Sequence, residues 1–223
     1  MGFVVAIDGP AGSGKGTITK LVAEKRNLVS IDTGAMYRCV ALECLNNNVS
    51  HTDIEGINKI LENINIELKN DNGVKRVILN GKDVSEEIRT PKVDDIVAKY
   101  AAVKEIRDKM TPLQRKMGET QNIIMEGRDI GTVVFPNADV KIFLDCSLEE
   151  RAKRRYKQDI EKGMRVTYEE VLESIKERHR LETERDIAPF IKAEDAVAID
   201  TTKLTIDEVV EEVLKIVDLK YDI

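Results

Sequence analysis

The chain has 223 residues, 42% hydrophobic and 34% charged, which suits one substantial domain with an insertion or two small ones, each with a real core. Its net charge of −6 excludes a general nucleic-acid binder, which needs a broad basic face, and no apolar run reaches the length of a transmembrane helix. Cys39, Cys44 and Cys146 form no C-x-x-C pair, and a strand begins within three residues of Met1 without a basic leader, so free thiols in a reducing cytoplasm are expected.

In chain order, "FVVAID" (Phe3 to Asp8) is an apolar, β-branched run closed by Gly-Pro, which predicts a buried strand. A helix is predicted from about Lys15 to Arg26, a short strand ending near Asp32, and then an apolar-periodic helix over "AMYRCVALECLNNN". From Ile64 to Glu86 the pattern alternates and carries Asn-Gly at 72–73 and again at 80–81, a strong hairpin signal inside the parallel rhythm. "NIIMEG" (Asn122 to Gly127), "ADVKIFLDC" (Ala138 to Cys146) and "DAVAIDTT" (Asp195 to Thr202) complete a set of about five core strands. Helices between them imply parallel strands with crossovers, hence an α/β sheet covered on both faces, with a small antiparallel insertion.

"GPAGSGKGT", Gly9 to Thr17, nearly fits the phosphate-binding pattern G-x-x-x-x-G-K-[ST], with Gly9, Gly14 and Lys15 in register. It follows a strand and opens a helix, as that loop requires. Gly9, Gly12 and Gly14 let the backbone of Pro10, Ala11 and Ser13 curl so that N–H groups face one centre, and the helix dipole adds its positive end. The mismatch is Gly16, which delays the hydroxyl to Thr17; the form G-x-x-G-x-G-K-G-T resembles that of nucleoside monophosphate kinases. Other nucleotide binders fit less well. The one Asn-Lys, at Asn58, lacks the aspartate of a guanine-reading N-K-x-D, and Gly12-Ser13-Gly14 is followed by Thr17 where a dinucleotide fingerprint wants glycine.

Two further segments add charge at expected strand ends. "DTGAMYR" (Asp32 to Arg38) offers Asp32 or Thr33 as a helix cap, with Tyr37 and Arg38 on the first turns. "MEGRDIGTVVFP" (Met125 to Pro136) ends an apolar strand on Glu126, placed as an outer-shell group for magnesium, and puts Arg128 and Asp129 on the loop beyond it. "RAKRRYK" (Arg151 to Lys157) reads on its own as a solvated helix face.

"IDGPAGSGKGT", "DTGAMYR", "VSEEIRT", "EGRDIGTVVFP" and "KIFLDCSLEERAKRR" stand in the order and spacing of bacterial cytidylate kinases, and the resemblance runs over nearly the whole chain, insertion included. It implies a P-loop kinase fold with a core at about 1–34, 118–150 and 190–223. An acceptor-binding region follows at about 35–117, with a short helical, arginine-rich lid at about 151–185. The activity implied is transfer of a phosphoryl group from ATP to CMP and dCMP with Mg2+, no organic prosthetic group, and a monomer.

Carried over residue by residue, the loop from Gly9 to Thr17 with Arg151 binds ATP, and Thr17 and Glu126 serve the metal's outer shell. Arg38 and Arg128 bind the acceptor phosphate, while Arg107 and Asp129, with Thr33 and Tyr37, address the cytosine. Arg154 and Arg155 contact the transferring phosphoryl group, and Arg178 and Arg185 match arginines near ribose and phosphate. Lys15, Arg128, Arg154 and Arg155 form the expected catalytic set. Three positions depart from the family pattern: Glu182 stands for a ribose-contacting aspartate, His179 for another aspartate, and Ala98 for a serine near the base. Kinases of UMP, AMP or a small metabolite share the same loop, and a nucleotide-binding regulator without turnover is the reading from a different class.

Overall fold

The computed structural model describes residues 2–71 and 74–221, and the first expected Asn-Gly turn, at 72–73, lies outside the described residues. The chain divides into two compact units, the first running to Ile31 and resuming at Arg115, the second spanning Asp32–Gln114. Among the described residues no helix is long and apolar enough to cross a membrane.

The first unit is built on a parallel sheet. Its strands are β1 (Val4–Asp8), β2 (Val29–Asp32), β6 (Ile123–Gly127), β7 (Val140–Asp145) and β8 (Val197–Asp200), ordered β2-β6-β1-β7-β8. Every residue of β1 and β6 is buried. Both faces of these central strands are therefore covered, which explains their unbroken apolar runs. β1 sets Asp8 opposite Gly127 of β6 and opposite Phe143 of β7, so the segments after β1 and β6 leave the same end of the sheet. On one face Val5, Ile7, Ile124 and Ile142 pack with Ile18 and Val22 of α1 (Lys15–Arg26) and with Val209, Val210 and Val213 of α8 (Ile206–Asp218). Helices α6 (Leu148–Glu161) and α7 (Tyr168–Glu184) pair through a small core of Ala152, Val171 and Ile175. Ser147 caps α6, and a Thr167–Glu170 capping box starts α7.

The second unit centres on α2 (Thr33–Asn46), packed with α3 (Ile54–Asn63) and α4 (Pro91–Ala101); α5 runs from Lys104 to Met117. Asp32 accepts from the Ala35 N–H at 3.1 Å, which settles which residue caps α2. The insertion is an antiparallel sheet of β3 (Ile66–Asp71), β4 (Val74–Leu79) and β5 (Lys82–Asp83). Asn80 and Gly81 join β4 to β5 with φ of 49° and 83°, the two positive angles a tight two-residue hairpin turn requires. α3, α4 and α5 are additions to the elements expected from the sequence, although α3 and α5 are each apolar on one face.

The β1–α1 turn shows which of its glycines are obligatory. A Cβ on Gly9 would lie 2.3 Å from the Leu144 carbonyl oxygen, and Gly14 caps α1 at φ 90°. Gly16 differs: a Cβ there meets Glu126 Oε1 at 3.4 Å, ordinary contact, on helical backbone. Gly14→Ala therefore costs about 1–2 kcal/mol of left-handed strain, whereas Gly16→Ala gains up to about 1 kcal/mol of helix propensity. Thermal melts are expected to rank Gly14→Ala below the parent and Gly16→Ala level with or above it; the reverse order contradicts this account of the turn.

Candidate active site

In the first unit the turn from Gly9 to Gly14 curls tightly, with the Ser13 N–H donating to the Pro10 carbonyl at 3.3 Å. Lys15 is 6% exposed and folds over the turn, its Nζ donating to the Pro10 carbonyl at 2.7 Å and to Ser13 Oγ at 3.4 Å. Gly16 and Thr17 stay exposed on the first turn of α1. Burial first, and then the Arg128 guanidinium, pull the Lys15 ammonium well below its ordinary pKa, while Glu126 and Glu182 oppose them. A buried ammonium beside a helix N-terminus is a group that an incoming polyanion stabilises.

Three supports hold the loop from behind. Arg151, 5% exposed, donates Nε to the Cys146 carbonyl at 3.1 Å and NH1 to the Ala11 carbonyl at 3.3 Å. Thr201 Oγ1 donates toward the Ser13 carbonyl at 3.3 Å and the Asp145 carbonyl at 2.9 Å. Asp8, at the end of β1, accepts from the N–H groups of Ile130 and Gly131 at 2.9 and 2.8 Å. Those bonds tie the base of the loop to a π-helical turn, Ile130–Val134, that follows Arg128 and Asp129. Burial pushes the Asp8 carboxyl up to about 6, against the pull of its two amide donors.

At the end of β6, Glu126 is 8% exposed and its carboxylate faces Gly16. Arg128 Nε donates to Glu182 Oε2 at 2.8 Å, and Arg178 Nε to Glu182 Oε1 at 2.9 Å. Burial works to raise the Glu182 carboxyl, yet the two guanidiniums win and hold it well below the carboxylate range. Arg185 NH2 lies 3.9 Å from Asp129 Oδ1, both nearly inaccessible, and its Nε donates to the Ala188 carbonyl at 2.7 Å. Asp8, Lys15, Glu126, Arg128, Asp129, Arg178, Glu182 and Arg185 thus form one network within the first unit.

Arg154 and Arg155 stand elsewhere on α6. Arg154 donates Nε to Glu150 and NH1 and NH2 to Thr201, at 3.1, 3.3 and 2.7 Å. Arg155 Nε meets Asp159 at 3.0 Å, one turn along. The "RAKRRYK" run is therefore not a uniform solvated face: Arg151 is buried, Arg154 and Arg155 are half-buried, and Lys153 and Lys157 are exposed. His179 sets its ring edge-on to Phe190, at 5.7 Å between centroids.

The second unit holds a separate cluster on α2, α4 and α5. Arg38 pairs with Asp94 through NH1, both side chains mostly covered. Arg107, 3% exposed, donates NH1 to the Ala101 carbonyl at 2.9 Å and lies over the Tyr37 ring at 5.3 Å. Thr33, Tyr37 and Ala98 are buried with them. Asp94, Thr201, Asp8 and Phe190 are contributors that the sequence analysis passes over. Of these Asp8 alone carried a signal, a carboxylate closing an otherwise apolar strand.

Comparison with known proteins gives the family. The cytidylate kinase family model matches residues 5–219. A cytidylate kinase from Fusobacterium nucleatum is 49% identical over 213 residues, 96% of each chain. One from Bacillus subtilis is 47% identical over 216 residues, 97% of this chain and 96% of the other. Among solved structures, a shikimate kinase from Bacteroides thetaiotaomicron superposes with a TM-score of 0.50 at 12% identity, over 97% of this chain and 98% of that one, a likeness of fold. With its phosphate loop, its buried arginines and a match from end to end of the sheet, the chain belongs to the cytidylate kinase family.

Proposed function

We propose that the chain transfers the γ-phosphoryl group of ATP in-line to CMP and dCMP, giving ADP with CDP or dCDP, as a nucleoside monophosphate kinase. Family membership supports the reaction. The observation that carries the site assignment is that Arg128 and Arg178 both bond Glu182, while Lys15, folded over the phosphate loop, feels the charge of all three.

In this reading the backbone of Gly9 to Thr17 cradles the ATP phosphates, with Arg151 bracing the loop through Ala11. Arg38 and Arg128 take the acceptor phosphate, Arg178 and Arg185 lie near ribose and phosphate, Arg107 and Asp129 with Thr33 address the cytosine, and Tyr37 belongs to the same CMP site. The α6–α7 pair, about 151–185, is the lid, and it brings Arg154 and Arg155 to the transferring group. The acceptor phosphate, with a second pKa of about 6, is largely dianionic at neutral pH and needs no general base. Catalysis is then positioning and charge neutralisation: Lys15 and the arginines offset the repulsion between two anions, and a closed lid keeps water from the donor.

Glu126 against Gly16, with the exposed Thr17 hydroxyl nearby in sequence, provides hard oxygen groups that fit the water shell of a magnesium ion carried in with ATP. Among the described residues no group of three or more His, Cys, Asp and Glu forms a protein cage for an ion. Bound there, the ion spreads the charge of the β- and γ-phosphates. The three buried free thiols suit a reducing cytoplasm, and the reading is of a monomer.

The decisive assay is ADP release with ATP and magnesium against CMP, dCMP, UMP, AMP and GMP in turn. Turnover confined mainly to CMP and dCMP is expected, and turnover led by another acceptor overturns the base assignment. Lys15→Ala is expected to lower kcat about 100-fold with a smaller change in acceptor KM. Arg38→Ala is expected to raise acceptor KM about tenfold and leave ATP KM within about twofold. Unchanged acceptor KM in that variant removes Arg38 from the acceptor site.

A further inference from the structure

Asp8 ends β1 directly before the phosphate loop, is 5% exposed, and gives both carboxylate oxygens to another segment. Oδ1 accepts from the Ile130 N–H at 2.9 Å and Oδ2 from the Gly131 N–H at 2.8 Å. These are the first amides of the π-helical turn Ile130–Val134, the ones a helical turn leaves without carbonyl partners of its own. Ordinarily the residue at the head of the turn supplies the missing acceptor with its own side chain. Asp129 stands at that position, and its carboxylate makes no capping bond. The far end of the turn is also held from outside: Arg115 donates Nε to the Val134 carbonyl at 2.8 Å and NH2 to the Val133 carbonyl at 2.7 Å.

We propose that Asp8 is a positioning residue for the acceptor nucleotide: by capping this turn from the neighbouring strand in place of Asp129, it fixes the directions of the Arg128 and Asp129 side chains relative to the phosphate loop. This rests on the kinase reading above and deepens it.

The geometry is that of a short bridge with one anchor. Gly127, the last residue of β6, pairs opposite Asp8 in the sheet, and Ile130 is bonded to the side chain of the same Asp8. Arg128 and Asp129 are the two residues strung between those attachments. β1 is paired on both sides, to β6 and to β7, so the carboxylate is aimed by the sheet itself. Relieved of capping, the Asp129 carboxylate turns to other partners, Arg185 among them. Fixing two recognition side chains in advance lowers the ordering cost of binding.

For the fold alone a neutral residue would serve better, because a buried carboxylate costs free energy. Burial pushes the Asp8 carboxyl up to about 6, while Lys15 on α1 and Arg128 and Asp129 after β6 act on it through their charge. What the carboxylate secures is two acceptors on one rigid group. An amide side chain in its place offers one oxygen and sets its own NH2 against the second donor.

The test is steady-state kinetics of Asp8→Asn, with CMP or dCMP varied at saturating ATP and then the reverse. The expected result is an acceptor KM raised about tenfold or more for both nucleotides. The KM of ATP stays within about threefold of the parent, because the loop keeps its own supports from Arg151, Thr201 and Lys15. An unchanged acceptor KM, or equal losses for acceptor and ATP, overturns the proposal.

A second measurement, on the unaltered enzyme, decides the matter if the variant does not fold. The amide protons of Ile130 and Gly131 and the carboxyl carbon of Asp8 are expected to titrate together in the free enzyme, with one midpoint at about pH 6. Amides that do not follow the carboxyl refute the cap. Should the parent phosphorylate neither nucleotide, the kinase reading fails and takes this one with it. Failure of the cap alone shows instead as a parent with normal turnover whose Ile130 and Gly131 amides ignore Asp8.

Discussion

Positive charges gathered in a covered place repel one another, and the first unit is shaped by that repulsion. Arg128 and Arg178 both disfavour the charge on Lys15, whereas the carboxylates of Glu182, Glu126 and Asp8 favour that on Arg128. Removed from water, such a group is unstable unless negative charge is set among its members. Glu182 meets that need between two arginines, and Glu126 contributes from the end of β6. The proton affinity of Lys15 is lowered by burial above all and by Arg128 next, with Glu126 and Glu182 working the other way.

The same constraint explains why so much buried polar bonding is spent behind the loop. Backbone amides that face a ligand leave carbonyls pointing the other way, and these must be satisfied inside the protein. Arg151 serves Ala11, Lys15 serves Pro10, and Thr201 serves Ser13. Asp8 performs the complementary task for the turn after Arg128, whose π-helical geometry leaves the Ile130 and Gly131 amides without helical partners of their own. A rigid scaffold under flexible-looking, glycine-rich sequence follows from these bonds.

What could be read from residue order alone was whatever is encoded by short spacing. The phosphate loop, the strands and the Asn80-Gly81 turn each depend on a few neighbours along the chain, and each stands where the sequence analysis places it. Family resemblance supplied candidate arginines but not their partners. That Arg38 meets Asp94, that Arg154 turns to Thr201, and that Glu182 joins Arg128 to Arg178 are facts of tertiary packing, with separations of 56, 47 and 54 residues. Only the Arg178–Glu182 pair, at i and i+4 on α7, had a local signature, and such pairs are too common on helix surfaces to mark a site. The π-helical turn was illegible for the same reason: Asp8, the carboxylate that takes its first amides, lies 122 residues upstream.

The loop near the start of the chain therefore depends on segments made much later. β1 pairs with β6 and β7, Ala11 is held by Arg151, and the Ser13 carbonyl receives Thr201 across 188 residues. Contacts of such long range close late in folding, because the entropy of bringing distant segments together must first be overcome. A chain still emerging from the ribosome carries the whole phosphate-binding sequence with none of its supports. Nucleotide capture is in that sense a property of the finished fold, so an incomplete chain has the signature without the means to sequester ATP.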